Sequence, residues 1–557
     1  MNFFKQWVPI FEWLPNYQKA DLRGDMVAGI TVAMMLIPQA MSYALLAGLD
    51  PIIGLYASIL PLVIYAMFGT SRELAVGPVA MVSLLITSGV GSIAESGSAR
   101  YIELAIVLAL MVGVMQLAMG VFRLGYLTNF MSHPVISGFT SASALIIGFS
   151  QLKHIVGLPL PRTENIAETL WLTIQNFADI HWITFAIGLS SIVLLLILKR
   201  LGPLIPGPMV AVILSTLVVW FFGLHETGVK IVGEVPAGLP PLSVPEFAFS
   251  DLSALLPIAV TISFVGFMES IAVAKKIAQE KHYEIDANKE LIGLGLANIV
   301  GAFFKAMPVT GGFSRTAVNK NAGANTGLAA ILTAVIIAIA LLFFTPLFYY
   351  IPKAILGSVI MMAVFGLVDI HEIKHLWKVK RTDLVLLVFT VVMTLTVGVV
   401  NGIFSGIAAC MIWFVVRTTR PHYAVMGRIP NTRDFRNVKN YDVEKKMGVL
   451  ALRFDAQFYY GNVSFLKETI KKHELADNSI HSIVMDSSAI NQLDSSADTA
   501  LHELVDDYLL KDISFYFSSV KQPVLNVMKK SGFYQKLGKE RFFMNTHDAV
   551  EAAKASQ

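Results

Sequence analysis

Cysteine occurs once in the chain, at Cys410. One cysteine can form neither an internal disulfide nor a cysteine metal cluster. Charge is scarce too: Asp, Glu, Lys and Arg make up 15% of 557 residues, where soluble proteins carry about a quarter. The net charge of +4 reflects basic loops, so no nucleic-acid partner is expected. No phosphate-loop pattern of the type GxxxxGKS or GxxxxGKT occurs, so the driving force is expected from an ion gradient, not from nucleotide hydrolysis. No enzyme is expected, and no cofactor. The first 25 residues are amphipathic and mixed in charge, and they read as a cytosolic or interfacial segment, not a cleavable leader.

What the sequence has in abundance is apolar length. Hydrophobic residues make up 55% of it. Stretches long enough to cross a bilayer, roughly 20 residues each, recur from about residue 26 to about residue 416. After Arg417 charges become dense and the long apolar runs stop. The chain divides into a transmembrane domain at 1–421, a linker at 422–446 and a small soluble domain at 447–557. With a cytosolic N-terminus and fourteen spans, Arg72, Arg123, Lys199, Arg200, Lys275, Lys276 and Lys281 fall inside. So do Lys374, Lys378, Lys380, Arg381, Arg417 and Arg420. Outside fall only Arg100, Lys153, Arg162, Lys230, Lys305 and Lys353, which meets the positive-inside rule. Twelve spans with two re-entrant segments meet it equally. Both counts leave the soluble domain in the cytosol.

A Pro- and Gly-rich stretch at 225–249 divides the membrane part into two similar halves. In each, two spans precede a break about 50 to 60 residues in, where a short segment opens. The first break is Gly77-Pro78, and the second is Thr310-Gly311-Gly312. Paired interruptions at matching places point to an inverted repeat with its binding site at the membrane midplane. A helix that begins inside the membrane leaves its first amides unpaired, and its positive pole suits an anion.

Two ionisable residues stand inside apolar runs. A charge at mid-bilayer is costly and faces a cavity or a partner. Arg315 follows the second break and offers a planar fork of donors suited to an oxyanion. Glu269 can take up and release a proton. A structural ion pair between the two is the other reading.

Further motifs complete a recognisable set. Pro38-Gln39-Ala40-Met41-Ser42-Tyr43-Ala44 is followed by Gly54-Leu55-Tyr56-Ala57-Ser58, Gly69-Thr70-Ser71-Arg72 and Gly77-Pro78-Val79-Ala80. The second half has Asn288-Lys289-Glu290-Leu291, Gly295-Leu296-Ala297-Asn298 and Phe313-Ser314-Arg315. In this order they resemble the signature of the sulfate permease (SulP) family, bacterial relatives of the animal anion carriers and prestin. The resemblance implies an all-α polytopic domain of seven plus seven inverted-repeat spans, with core and gate subdomains and an elevator or rocking movement. It places the anion near Gln39 and Tyr43, between Pro78, Val79 and Ala80 on one side and Phe313, Ser314 and Arg315 on the other. Gln39 and Tyr43 are four residues apart and share a helix face, although Tyr43 also reads as an ordinary packing aromatic. An acid at Glu269 is similar to proton-coupled members. Sodium coupling stays open, with Ser263 and Ser270 as added oxygen donors. Sulfate, bicarbonate and dicarboxylates are all carried by similar proteins. A homodimer in the bacterial inner membrane is a further implication. An anion-sensing membrane scaffold is the alternative of a different class.

From about Gly448 strands and helices alternate: Val449-Leu450-Ala451-Leu452, Ile483-Val484-Met485 and 513–517 read as strands, with helices after Asn462, Ser496, Pro523 and Thr546. This resembles a STAS domain, a small α/β module that can have a cytoplasmic protein partner. In related antagonists a serine matching Ser496 is phosphorylated, but this chain has Ala497 where they have Gly. Capping of the helix by Asp494 or Ser495 is the plainer use of this run.

Overall fold

The computed structural model describes residues 8–126, 132–161, 165–202, 205–445 and 447–555. Arg162 and the first seven residues lie outside the described residues. The chain forms two compact units, Met1–Cys410 and Met411–Gln557.

In the first unit the apolar runs become helices because a backbone in lipid must satisfy its polar groups within the segment. Among the described residues, eight helical segments are long and apolar enough to cross a membrane. Large apolar side chains such as Ile197, Leu217, Phe221 and Phe343 stay exposed, as a lipid-facing surface requires and a soluble protein does not tolerate on this scale. The elements that matter here are α1 (Lys19–Leu46), β1 (Val76–Gly77), α2 (Ala80–Gly91), α3 (Trp182–Leu201), α4 (Phe249–Glu280), α5 (Ala287–Phe303), β2 (Thr310–Gly311), α6 (Phe313–Asn321) and α7 (Val399–Thr419). The last of these runs across the boundary between the units.

Two of these helices are too short to cross. α2 has 12 residues and α6 has 9. At 1.5 Å per residue they span about 18 and about 14 Å, against a hydrocarbon core of about 30 Å. Each is preceded by a two-residue strand, and the strands pair antiparallel, Val76 opposite Gly311 and Gly77 opposite Thr310. The two breaks therefore meet, and the orphaned backbone at each is satisfied by the other.

The second unit is a six-stranded sheet covered by helices. In chain order it comprises β3 (Tyr423–Arg428), β4 (Phe435–Asn437), β5 (Val449–Phe454), α8 (Val463–Ala476), β6 (Ser482–Asp486), α9 (Ser495–Leu509), β7 (Ser514–Ser518), α10 (Gln522–Lys530), β8 (Phe542–Phe543) and α11 (Thr546–Ala555). The strand order is β4-β3-β5-β6-β7-β8; β5 to β8 run parallel and β3 and β4 antiparallel. Period-two alternation divides the faces. Leu450, Leu452, Phe454, Phe515 and Phe517 enter the larger core, while Ala451, Val484 and Tyr516 pack on Ala549, Val550 and Ala553 of α11. The stretch 422–446 differs from the expected linker, because it supplies β3 and β4. Its alternation is short and lies among charges, so the pairing with β5 is visible only in the fold.

Candidate functional site at the two broken helices

The site is assembled around the second break. Thr310 donates its hydroxyl to the Gly266 carbonyl at 2.6 Å, and the Thr310 and Ser270 hydroxyls are 2.6 Å apart. The Gly311 amide donates to Ser270 Oγ at 2.8 Å. These bonds fasten β2 to α4 at the residue next to Glu269. On the other side, Asn298 of α5 accepts from the Val309 amide and donates to the Val309 carbonyl, at 2.7 and 3.0 Å. The first break is held by residues of α6: Thr316 Oγ1 accepts from the Ala75 amide, and Asn319 donates to the Glu73 carbonyl. The helices that leave this ribbon start at the extended residues Val79 and Gly312, neither with a side-chain cap. Two uncapped positive poles thus lie at one place.

Arg315 is 1% exposed. Its Nη1 donates to the Pro78 carbonyl of the first break at 2.7 Å. Its Nε and Nη2 are buried without a hydrogen-bond partner. A buried charge-bearing group left unpaired is costly, so these two donors mark a place where an acceptor is expected. Gly312 keeps this arrangement possible: a Cβ there would stand 2.7 Å from Arg315 Nη2. Glu269 and Tyr43 are within electrostatic reach of the guanidinium, but no ion pair joins Glu269 to Arg315 among the described residues.

These groups line one cavity of about 540 Å³. The structure brings Gln39, Tyr43, Val79, Ala80, Glu269, Phe313, Ser314 and Arg315 to its wall. Pro78 enters only through the carbonyl that holds Arg315. Gln39 is buried, and its Oε1 lacks a partner. Phe313 and Ser314 are exposed. The cavity also touches Lys199 of α3 and Asn321 at the end of α6. Residue type alone gave no reason to place either there, because Lys199 looks like an ordinary basic span end. Ser263 and Ser270 donate their hydroxyls to the carbonyls of Ala259 and Gly266.

Ser496 lies in the second unit, exposed in the first turn of α9. The cap of that helix is Asp494, whose side chain accepts from the Ala497 amide at 2.7 Å. Among the described residues no group of three or more His, Cys, Asp or Glu side chains could hold a metal ion.

Other acids in the membrane unit are buried for different reasons. Glu290 is fully buried and accepts from the Tyr65 hydroxyl, the Thr70 hydroxyl and amide, and the Ser71 amide. Asp25 accepts from the Asn325 and Thr326 amides and from the Thr326 hydroxyl. Both fasten loops.

Comparison with known proteins gives the family and the fold. The sulfate permease family matches residues 22–390 and the STAS domain residues 440–549. The chain is 40% identical to the chloroplastic sulfate transporter 4.1 of Arabidopsis thaliana, over 98% of this chain and 82% of that one. It is 33% identical to a probable sulfate transporter of Mycobacterium tuberculosis, over 98% of each chain. Its fold matches that of the murine solute carrier 26 family member A9 anion transporter in the inward-facing state, with a TM-score of 0.92 at 24% identity, over 100% of this chain and 95% of that one. The chain belongs to the sulfate permease family, as a multi-pass membrane protein with a C-terminal STAS domain.

Proposed function

We propose that this chain takes up sulfate, or a similar small dianion, together with a proton. The observation that carries the reading is the buried Arg315, with two donors unpartnered at a cavity that also holds Glu269 and two uncapped helix starts. The relatives named as sulfate transporters support the substrate.

A charge tally gives the mechanism. Each helix pole is worth about half a positive charge. With Arg315 at +1, a dianion and an ionised Glu269, the loaded site sums to about −1. Protonating Glu269 brings it to about zero, which is the state that crosses a low-dielectric barrier at least cost. A monoanion reaches about zero with Glu269 ionised and needs no proton. Proton coupling thus follows from the charge of the cargo. Movement is by the elevator or rocking displacement of a core, which carries both breaks, against a gate. The chain lies in the plasma membrane with both termini cytoplasmic, the orientation that the distribution of basic residues supports.

The test is uptake of labelled sulfate into proteoliposomes with and without an inward proton gradient. Uptake should rise with the gradient, and E269Q should remove the pH dependence while leaving sulfate bound. An E269Q protein with the pH profile of the unaltered chain would take Glu269 out of coupling. Uptake driven by sodium alone would move attention to the Ser263 and Ser270 hydroxyls. Binding without uptake would favour an anion-sensing scaffold.

A further inference from the structure

The second unit contains a cavity of about 730 Å³ between β3, the segment after β4, and α8. Its wall holds Lys439, Lys445 and Lys472, with His473, Tyr423 and Phe465. The lysines come from two separate parts of the chain. The helix dipole accounts for His473 in the last turn of α8, but not for Lys439 and Lys445, which arrive from another segment. Among the described residues none of the three ammonium groups has a carboxylate within ion-pair distance, although the same unit contains such pairs as Lys511 with Glu474 and Lys536 with Asp506. Asp477 lies within electrostatic range of Lys445, but it is already bonded to the Ser479 amide and hydroxyl.

His473 Nε2 is buried and has no hydrogen-bond partner. Burial, and then Lys472, Lys445 and Lys439, hold its imidazole below the usual histidine range, so all three cations bear on one ring. Like charges gathered around an unpartnered ring nitrogen repel one another unless an anion joins them. The aromatic wall is preorganised: Tyr423 meets Phe465 and His473 edge to face, at 5.9 and 6.0 Å between centroids. The wall begins at Pro421 and His422, directly after the last membrane helix α7 ends at Thr419.

We propose that this cavity binds a phosphate-bearing anion, with Lys439, Lys445 and Lys472 holding the phosphate and His473 Nε2 donating to it. Two sources carry that chemistry: an anionic phospholipid headgroup and a soluble phosphate compound. The site is distinct from the anion cavity of the membrane unit and does not depend on how that cavity works.

The test uses the full-length protein in nanodiscs and lysine footprinting with an amine-reactive label read by mass spectrometry. One arm compares phosphatidylcholine discs with discs that also contain phosphatidylinositol bisphosphate. The other adds inorganic phosphate or soluble inositol trisphosphate to phosphatidylcholine discs. Labelling of Lys439, Lys445 and Lys472 should slow in at least one arm, while Lys529 and Lys530 of α10 keep their rates. Protection confined to the lipid arm assigns a headgroup, and protection in the soluble arm assigns a free phosphate compound. The triple variant K439E/K445E/K472E should bind the protecting ligand about a hundredfold more weakly, on the scale of one juxtamembrane lysine each. The milder H473A, which keeps the lysines as reporters, should reduce their protection. The proposal is overturned if the three lysines label in every condition like Lys529 and Lys530. Equal affinity of the triple variant and the unaltered chain also overturns it.

Discussion

At the first break the chain offers the cavity backbone and apolar side chains, Val79, Ala80 and Met81. At the second it offers Arg315, Ser314 and Phe313, with Glu269 one residue from the serine that anchors the break. The fastening is equally one-sided. Thr316 and Asn319 hold the strand before the first break, and Ser270 and Asn298 hold the second; all four belong to the second half. Two breaks with the same backbone thus have unequal duties. The first supplies a helix pole and the Pro78 carbonyl that orients the guanidinium. The second supplies the charge, the polar side chains and the bolts. Symmetry in the backbone places two poles together, and asymmetry in the side chains puts the buried guanidinium and the carboxyl on one side of the cavity.

Glu269 and Glu290 sharpen the contrast. Glu290 has four donors; Glu269 lines the cavity and, among the described residues, is not fixed by an ion pair. Glu290→Ala should therefore act on stability, not on coupling. It strands the Tyr65 hydroxyl and two backbone amides, at a cost on the order of 3 kcal/mol or more. A lower melting temperature and poor yield in detergent would show this, whereas a stable protein with altered pH dependence would reverse the roles of the two acids. Arg315→Ala should weaken sulfate binding about 10- to 100-fold, the worth of charge-assisted hydrogen bonds, with little change in melting. Calorimetric titration with sulfate reads it; an unchanged Kd would mean that the helix poles suffice. Gly312→Ala should displace the guanidinium without removing it and weaken binding about tenfold, within the range for an overpacked site. An equal loss in Arg315→Ala and in the double variant would confirm that it acts through Arg315. Ser270→Ala should cost about 1 kcal/mol by leaving the Gly311 amide without its acceptor. Faster hydrogen exchange at Gly311 than in the first break is the readout, and equal exchange at both would remove the claimed asymmetry in fastening.

Much of this site was legible in the sequence because each signal interrupts a uniform background. Glycine and proline stand out in an apolar run, and so do a lone Arg315 and a lone Glu269. Of the strands of the second unit, β5, β6 and β7 were visible as short apolar runs alternating with helices, and the two-residue β8 was not. The roles of Glu290, Lys199 and the Lys439–Lys445–Lys472 cluster were not. Each sits among other polar residues near a span end or in a charged segment, where composition gives no contrast. The strands β3 and β4 were missed because a short alternation bordered by charges reads as a connection until a partner strand is in place.

By itself the sequence determined where the membrane chain must break, that Glu269 and Arg315 interrupt its apolar runs, and that a separate α/β unit follows. Those properties follow from local hydrophobicity and backbone freedom, which are written residue by residue. Only the tertiary structure decided that Val76–Gly77 pairs with Thr310–Gly311, that Arg315 rests on a carbonyl of the opposite half, and that Glu269 is left without an ion pair while Glu290 is saturated. The physical reason is that these contacts join groups more than 200 residues apart, as the Arg315 to Pro78 separation of 237 shows. Most of them are made to backbone atoms, whose identity no side chain records.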